Sequence, residues 1–512
     1  NGELVSSIDL SVKDTQLTPF AMGMKLPSLQ AEAKGQVRFT LKDARTALKL
    51  GGKATARDFS KIDAALSDLG ELSTAFDSDV VLVGSALSAN VLSVTLDGNG
   101  QRWLGVQALK PFAIDLNDED SLKRLQGELL EINLTQFPLV LARNFIKPLE
   151  IKGGALSGKW TLSAQDGALK VESAQPLELA GLTLLQNNAL LTEALSAQLN
   201  TNAQYRGGQL SFGYGLSAAG TSGELLRGTG TGQVGMQPLS ASVKGDLQLG
   251  MPALSAQPVV AEKLPKGAII PYIVTATYDV DYAQDALALK QLNAQVRSGQ
   301  ASVLALSLVQ PLSINLTDPA KTALPDGELA SLSINELSLL IAAAFLPEGM
   351  ALNSGKLSAD LRLKKQGSAL ALEAPQPVKL SQLDLSNNGA PWVKRLSLSL
   401  SPRVAHSGGK TEISLSSISV MGLQQQAANG SLRLVLKGLK IEPPKVEVGT
   451  LSLADASATL NVQLRELLDR LPVAPVKNMR RGQASVALFA KESGDFSLTA
   501  KLTNVQVDFG SE

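Results

Sequence analysis

The chain of 512 residues contains no cysteine, one histidine and few aromatic side chains, which make up 4% of it. Without cysteine there are no disulfides, thiolate metal sites or cysteine nucleophiles; the composition fits a compartment such as the periplasm, where a stray thiol invites oxidation. The lone His406 stands beside two glycines in AHSGGK, so it is expected in an exposed loop. A Ser-His-Asp hydrolase would have to be built on that residue, and no GxSxG elbow occurs. An excess of either charge is also missing, with 47 basic and 47 acidic residues, which argues against nucleic acid as a partner. No apolar run approaches the roughly 20 residues that span a bilayer. The most apolar stretch, LSLLIAAAFL at 337–346, stops at Pro347. The chain opens at Asn1 without a charged-then-apolar leader, and is expected to be a piece cut from a longer protein.

What the sequence has in quantity is period two. KRLSLSLSPRV (394–404), GKLSADLRLKK (355–365) and GSLRLVLKGLKI (430–441) alternate Leu with Ser, Lys and Arg. Successive strand side chains point to opposite faces, so each stretch has one apolar and one polar face. Such runs recur between turn signals such as DGNG (97–100) and SNNG (386–389). The reading is mainly β: an elongated, repetitive antiparallel sheet curled into an apolar groove, with a few short helices and about 40 strands. Helical spacing is confined to 58–72, 118–130, 137–146, 337–346 and 462–472.

The chain also repeats itself. Residues 137–185 and 337–386 align with one gap, matching Gly154 to Gly355, Leu156 to Leu357, Leu162 to Leu363, Leu169 to Leu370 and Pro176 to Pro377. A weaker third copy starts at VQLRELLDRLP (462–472). Pro111, Pro176, Pro238, Pro311, Pro377 and Pro444 each precede alternating residues and lie 62 to 73 residues apart, suggesting a group of strands repeated about every 65 residues. The expected divisions are an N-terminal segment 1–127, a repeat 128–327, and a second repeat with a partial third cassette 328–512, stacked as one elongated body.

At LSINELSLLIAAAFLPEGMALNSGKLSADLRL (332–363) the sequence resembles the AsmA-like superfamily, which includes TamB. The resemblance rests on Leu339, Leu340, Phe345, Leu346, Pro347, Gly355 and Leu357, and in the first copy on Pro138, Leu139, Leu141, Phe145, Gly154, Leu156 and Gly158. Ala359 departs from the pattern, where the family often has Gly. The resemblance implies a periplasmic protein anchored in the inner membrane by a segment absent from this chain. It further implies a β-groove that conducts phospholipid towards the outer membrane in support of outer-membrane biogenesis, with membrane proteins as partners at either end.

The expected activity is therefore non-enzymatic, with no cofactor or metal. Acyl chains would lie on the aliphatic face, lined by Leu156, Trp160, Leu162, Leu169 and Val171 in the first copy. The second copy would supply Leu357, Leu361, Leu363, Leu370, Leu372, Leu396, Leu398 and Leu400. Other chemistry finds little support. Gly230, Gly232 and Gly235 form a GxGxxG string, but strand-like sequence flanks it on both sides, so a Gly-rich hairpin is expected rather than a phosphate loop. The acidic NDEDS (117–121) lacks the glycine of a calcium loop and reads as a helix start. Arg480 and Arg481 read as a solvated turn. The rival readings are an adhesive β-solenoid and an outer-membrane β-barrel, the latter short of aromatic girdles.

Overall fold

The computed structural model describes residues 3–13, 27–41, 44–62, 64–115, 118–146, 148–264, 270–318, 322, 324–347, 349–421, 425–442, 445–468, 470 and 479–507. The protein is mainly β and forms two compact units, Asn1–Ile269 and Ile270–Glu512. The first contains β1 (Glu3–Lys13), β2 (Ser28–Thr40), β3 (Arg45–Arg57), β4 (Leu72–Val83), β5 (Ala86–Gly98), β6 (Gln101–Ala108) and β7 (Phe112–Asp115). It continues with β8 (Gly127–Pro138), β9 (Leu149–Gln165), β10 (Ala168–Gln186), β11 (Ala189–Arg206), β12 (Gln209–Gly220), β13 (Gly223–Met236) and β14 (Leu239–Gly250). The second unit contains β15 (Ile273–Ala283), β16 (Ala286–Ser298), β17 (Ala301–Leu308), β18 (Leu312–Asn315), β19 (Gly327–Ser338), β20 (Met350–Gln366) and β21 (Ala369–Asn387). Its remaining strands are β22 (Ala390–Ser407), β23 (Lys410–Met421), β24 (Gln426–Glu442), β25 (Lys445–Gln463), β26 (Met479–Lys491) and β27 (Phe496–Val507).

Among the described residues 27 strands stand where about 40 were expected, because many are long. β10 and β21 each run for 19 residues, passing through bulges where the sequence suggests a break. In β10 the register shifts between Glu172 and Leu177, and in β21 between Glu373 and Val378. Pro176 and Pro377 fall in these shifts, where a missing N–H leaves no gap in the ladder. Pro111 and Pro311 instead precede the short strands β7 and β18, and Pro238 occupies the turn between β13 and β14. The prolines therefore do not mark one repeated place, which removes the 65-residue period; Pro444 lies outside the described residues.

The duplication reaches much further than its legible core. Strands β5 to β12 and β16 to β23 correspond element for element, with offsets of 200 and then 201 residues. In each unit the described pairings are antiparallel, and one crossover occurs twice. β5 pairs with β6 through Ser93–Gly98 and with β7 through Ala86–Ala89, while β6 passes on to β8. β16, β17, β18 and β19 repeat this arrangement. Leu109 donates its N–H to the Leu129 carbonyl at 2.9 Å, and Val309 to that of Leu329 at 2.8 Å. Leu129 and Leu329 are both fully buried. Many hairpins close through two residues at positive φ, as at Asn99-Gly100, Asp166-Gly167, Gly207-Gly208 and Asn388-Gly389, the backbone that matches strand twist.

The segments with helical spacing are shorter than expected. They yield α1 (Glu119–Lys123), α4 (Leu464–Leu468) and 3₁₀ turns at Phe59–Lys61, Ala64–Leu69, Leu139–Phe145 and Leu339–Phe345. Strand partners claim the flanking residues, as where β4 begins at Leu72 and β8 at Gly127. Two further short helices, α2 (Met251–Ser255) and α3 (Pro258–Ala261), follow β14. The repeated glycine of the cassette has a packing reason. At Gly154, with φ +123°, an added Cβ would stand 3.0 Å from Leu182 Cα and 3.3 Å from Leu139 Cδ1; at Gly355 it would stand 3.1 Å from Leu339 Cδ1. The apolar turn is thus seated against the strand that follows it.

The polar face is held in register by cross-strand ion pairs. Arg433 on β24 bridges Glu412 on β23 (3.2 Å) and Asp455 on β25 (2.6 Å). Glu373 on β21 is paired with Lys364 and lies 3.8 Å from Arg403. The Lys364 hydrogen bond, aided by the charges of Arg403 and Arg362, holds the Glu373 carboxyl below the usual carboxylate range. A depressed folded-state value contributes stability that is complete above the unfolded value near about 4.3 and is lost as pH falls through the folded value. Glu373→Gln is therefore expected to flatten the loss of stability between about pH 5 and about pH 3, by less than about 1 kcal/mol for so exposed a pair. Urea midpoints of the two proteins across that range provide the check.

Candidate functional site

Register joins the alternating residues into rows that cross many strands. In the first unit Leu130, Leu162, Val171, Ala203, Phe212, Gly232 and Val243 are successive partners from β8 to β14. In the second, Leu308, Ala330, Leu363, Leu372, Val404, Ile413, Leu434, Ala456 and Ala490 do the same from β17 to β26. The adjoining row on the other face is polar: Arg362, Glu373, Arg403, Ser414, Arg433 and Ser457. The second unit therefore presents an apolar face backed by a charged one; in the first unit the adjoining row, Glu131, Thr161, Glu172, Asn202, Gly213, Thr231 and Lys244, is polar with fewer charges.

Closed core covers only parts of the apolar face. In the first unit α1 packs Leu122 with Ala89, Phe112, Leu129, Ala164 and Leu169. The 3₁₀ turns place Phe59, Leu66 and Leu69 with Trp103 in a second cluster. Between such caps the face is half-buried, the pattern of a sheet that curls and partly shields itself.

All thirteen residues singled out by alternation lie on this face. Leu156, Trp160 and Leu162 are half-buried, as are Leu357, Leu361, Leu363, Leu370, Leu396, Leu398 and Leu400. Val171 and Leu372 are more open, at 38% and 40% exposure. Leu169 is buried beneath α1 and belongs to the closed cluster. Phe212, Tyr214, Val404 and Ile413 join the same face although alternation in isolated segments did not single them out; Leu434, from the alternating run 430–441, joins it as well. Carrying alternation across each two-residue turn would have found the first four.

The glycine string proves antiparallel, as its flanks suggest. Gly228, Gly230 and Gly232 lie on the apolar face of β13, opposite Leu216, Tyr214 and Phe212. A Cβ at Gly232 would fall 2.3 Å from Phe212 Cζ, and one at Gly230 would fall 2.7 Å from Tyr214 Cζ. The rings thus lie down over the glycines and fill the space of the missing side chains.

His406 departs from expectation. It is buried on β22, in register with Leu370 and Thr411, and its Nδ1 lies 3.0 Å from the Thr411 hydroxyl. The strand continues to Ser407 before the Gly408-Gly409 turn, so the ring stands on the sheet. Arg480 and Arg481 are exposed on β26 rather than in a turn. Asp118 caps α1, its carboxylate accepting from the Asp120 N–H at 3.0 Å. Among the described residues no group of three or more His, Asp or Glu could hold a metal. No protein-family model matches the chain, and no curated protein matches its sequence.

Placing a branched side chain beneath the Phe212 ring tests this packing. Gly232→Val is expected to lower stability by about 1–3 kcal/mol. Combined with Phe212→Ala it should cost less than the sum of the two, with a coupling of about 1 kcal/mol or more. Chemical unfolding of the four proteins in that cycle measures the coupling.

Proposed function

We propose that the apolar faces carry the acyl chains of phospholipid, and that the protein is a non-enzymatic, periplasmic lipid conduit of the AsmA-like type between inner and outer membranes. The supporting observation is the row of aliphatic side chains from Leu308 to Ala490 in the second unit, mostly half-buried, with its counterpart in the first unit broken only at Phe212 and Gly232. Each methylene transferred from water to such a surface contributes up to about 0.8 kcal/mol. Because one Leu, Val or Ala follows another along the row, a chain meets no deep trap and can move from strand to strand. Headgroups remain at the polar margin. An outer-membrane barrel would turn the apolar face to the bilayer, yet α1 and the 3₁₀ turns pack onto that face, and the scarce aromatics supply no girdles. A closed adhesive solenoid would bury the row completely.

Mass spectrometry of lipid extracted from the protein, purified from washed envelope, is the test. Phospholipid is expected in the parent. It should fall by about threefold or more in a Leu361→Asp, Leu398→Asp variant, whose carboxylates make the face costly for hydrocarbon, with circular dichroism unchanged. Lipid no more abundant than on an unrelated β protein would overturn the proposal.

A further inference from the structure

The polar face of the second unit changes character between β24 and β27. Elsewhere it is laced with ion pairs, and Arg433 still bridges Glu412 and Asp455 there. Four residues along β24, at Asn429, the charges give way to a concavity of about 440 Å³. Six of its lining residues are Gln or Asn, joined by Ser485, Thr503 and Lys501 and by the apolar Ala428, Val462 and Ala484, and no carboxylate is among them. Register sets Asn429 opposite Asn461, Asn461 opposite Ser485, and Gln463 opposite Gln483. The amides are directionally linked: Asn461 Nδ2 donates to Asn429 Oδ1 (3.3 Å), Asn429 Nδ2 to Gln426 Oε1 (3.5 Å), and Gln426 Nε2 to Ser419 Oγ (2.6 Å). A side-chain amide offers two donors and two acceptor positions, so these bonds use part of each group's capacity and orient the remainder.

We infer that this concavity is a binding site for a neutral glycan rich in hydroxyl and acetamido groups. An amide array offers alternating donors and acceptors, which suits ligand groups that both give and accept hydrogen bonds. The absence of carboxylates leaves a divalent cation without a charged ligand. With Lys501 as its only cation, the site gives a polyanion little attraction. No aromatic side chain lines it for stacking bases. Its amides at Asn429, Asn461, Gln463 and Gln483 are on the face opposite the aliphatic rows, and the inference does not rest on the lipid reading.

Saturation-transfer NMR on the full chain, with tri-N-acetylchitotriose as probe at about 5 mM, tests it in the weak-binding range. Transfer to the acetamido and ring protons is expected from the parent protein. In Asn461→Ala, Gln483→Ala the apparent affinity should fall roughly tenfold, as befits two lost hydrogen bonds. Gln483→Glu, which keeps the side-chain shape, should weaken binding in the same direction, while Asn200→Ala on the first unit should not. Absence of transfer from the parent, or equal transfer from parent and site variants, would overturn the site and leave the amides as partners in strand pairing. Lipid content measured on the same variants should stay at the parent level, which separates failure here from failure of the conduit.

Discussion

The fold depends on parity. An antiparallel ladder places residues opposite one another in pairs, and a slip of one position exchanges the two faces of a strand. Here apolar stays opposite apolar from β8 to β14 and again from β17 to β26. Two-residue turns preserve the pairing at many of the hairpins, as at Asp166-Gly167, Gly207-Gly208 and Asn388-Gly389. Where the long strands carry an extra residue, bulges absorb it: Gln136 and Glu336 adopt positive φ, and their N–H groups bond to Ser157 Oγ and Ser358 Oγ. The ion pairs on the opposite face oppose slippage from the other side, since a shifted Arg433 would leave both of its carboxylates.

Parity constrains class more tightly than identity. An aliphatic position can hold Leu, Val, Ile or Ala with modest loss, so copies diverge in sequence while their strands stay in step. That explains why recognisable similarity covers 137–185 and 337–386 while equivalent elements extend across β5 to β12 and β16 to β23. The conspicuous matches carry a second constraint: Gly154 and Gly355 seat an apolar turn, and Pro176 and Pro377 sit in register shifts. The two units have also diverged locally. Phe212 and Tyr214 lie over glycines in the first, whereas Ile413 and Leu415 occupy the equivalent positions of the second.

A single apolar face has two uses: it can build a core or remain available to hydrocarbon. Both occur here. Leu122, Leu129 and Leu169 show the first, buried together under α1. Leu372, on the row through Leu363 and Val404, shows the second. In the proposed conduit the caps limit lateral spread of the bound chain and the uncapped rows support its passage.

The sequence by itself determined the secondary-structure class and the facing of each strand, because alternation is a local property set by backbone geometry. It placed all thirteen candidate residues on the apolar side, and it read the glycine string as antiparallel and the acidic NDEDS as a helix start. Only the tertiary structure decided which of those residues are covered, since coverage depends on elements distant along the chain: Leu169 and Leu370 read alike, yet α1 buries the first. The same reason applies to His406, which local composition assigns to a loop and pairing with Thr411 draws onto the sheet. Strand length, the extent of the duplication and the amide-lined concavity also followed from pairing, because each requires knowing which strands are neighbours.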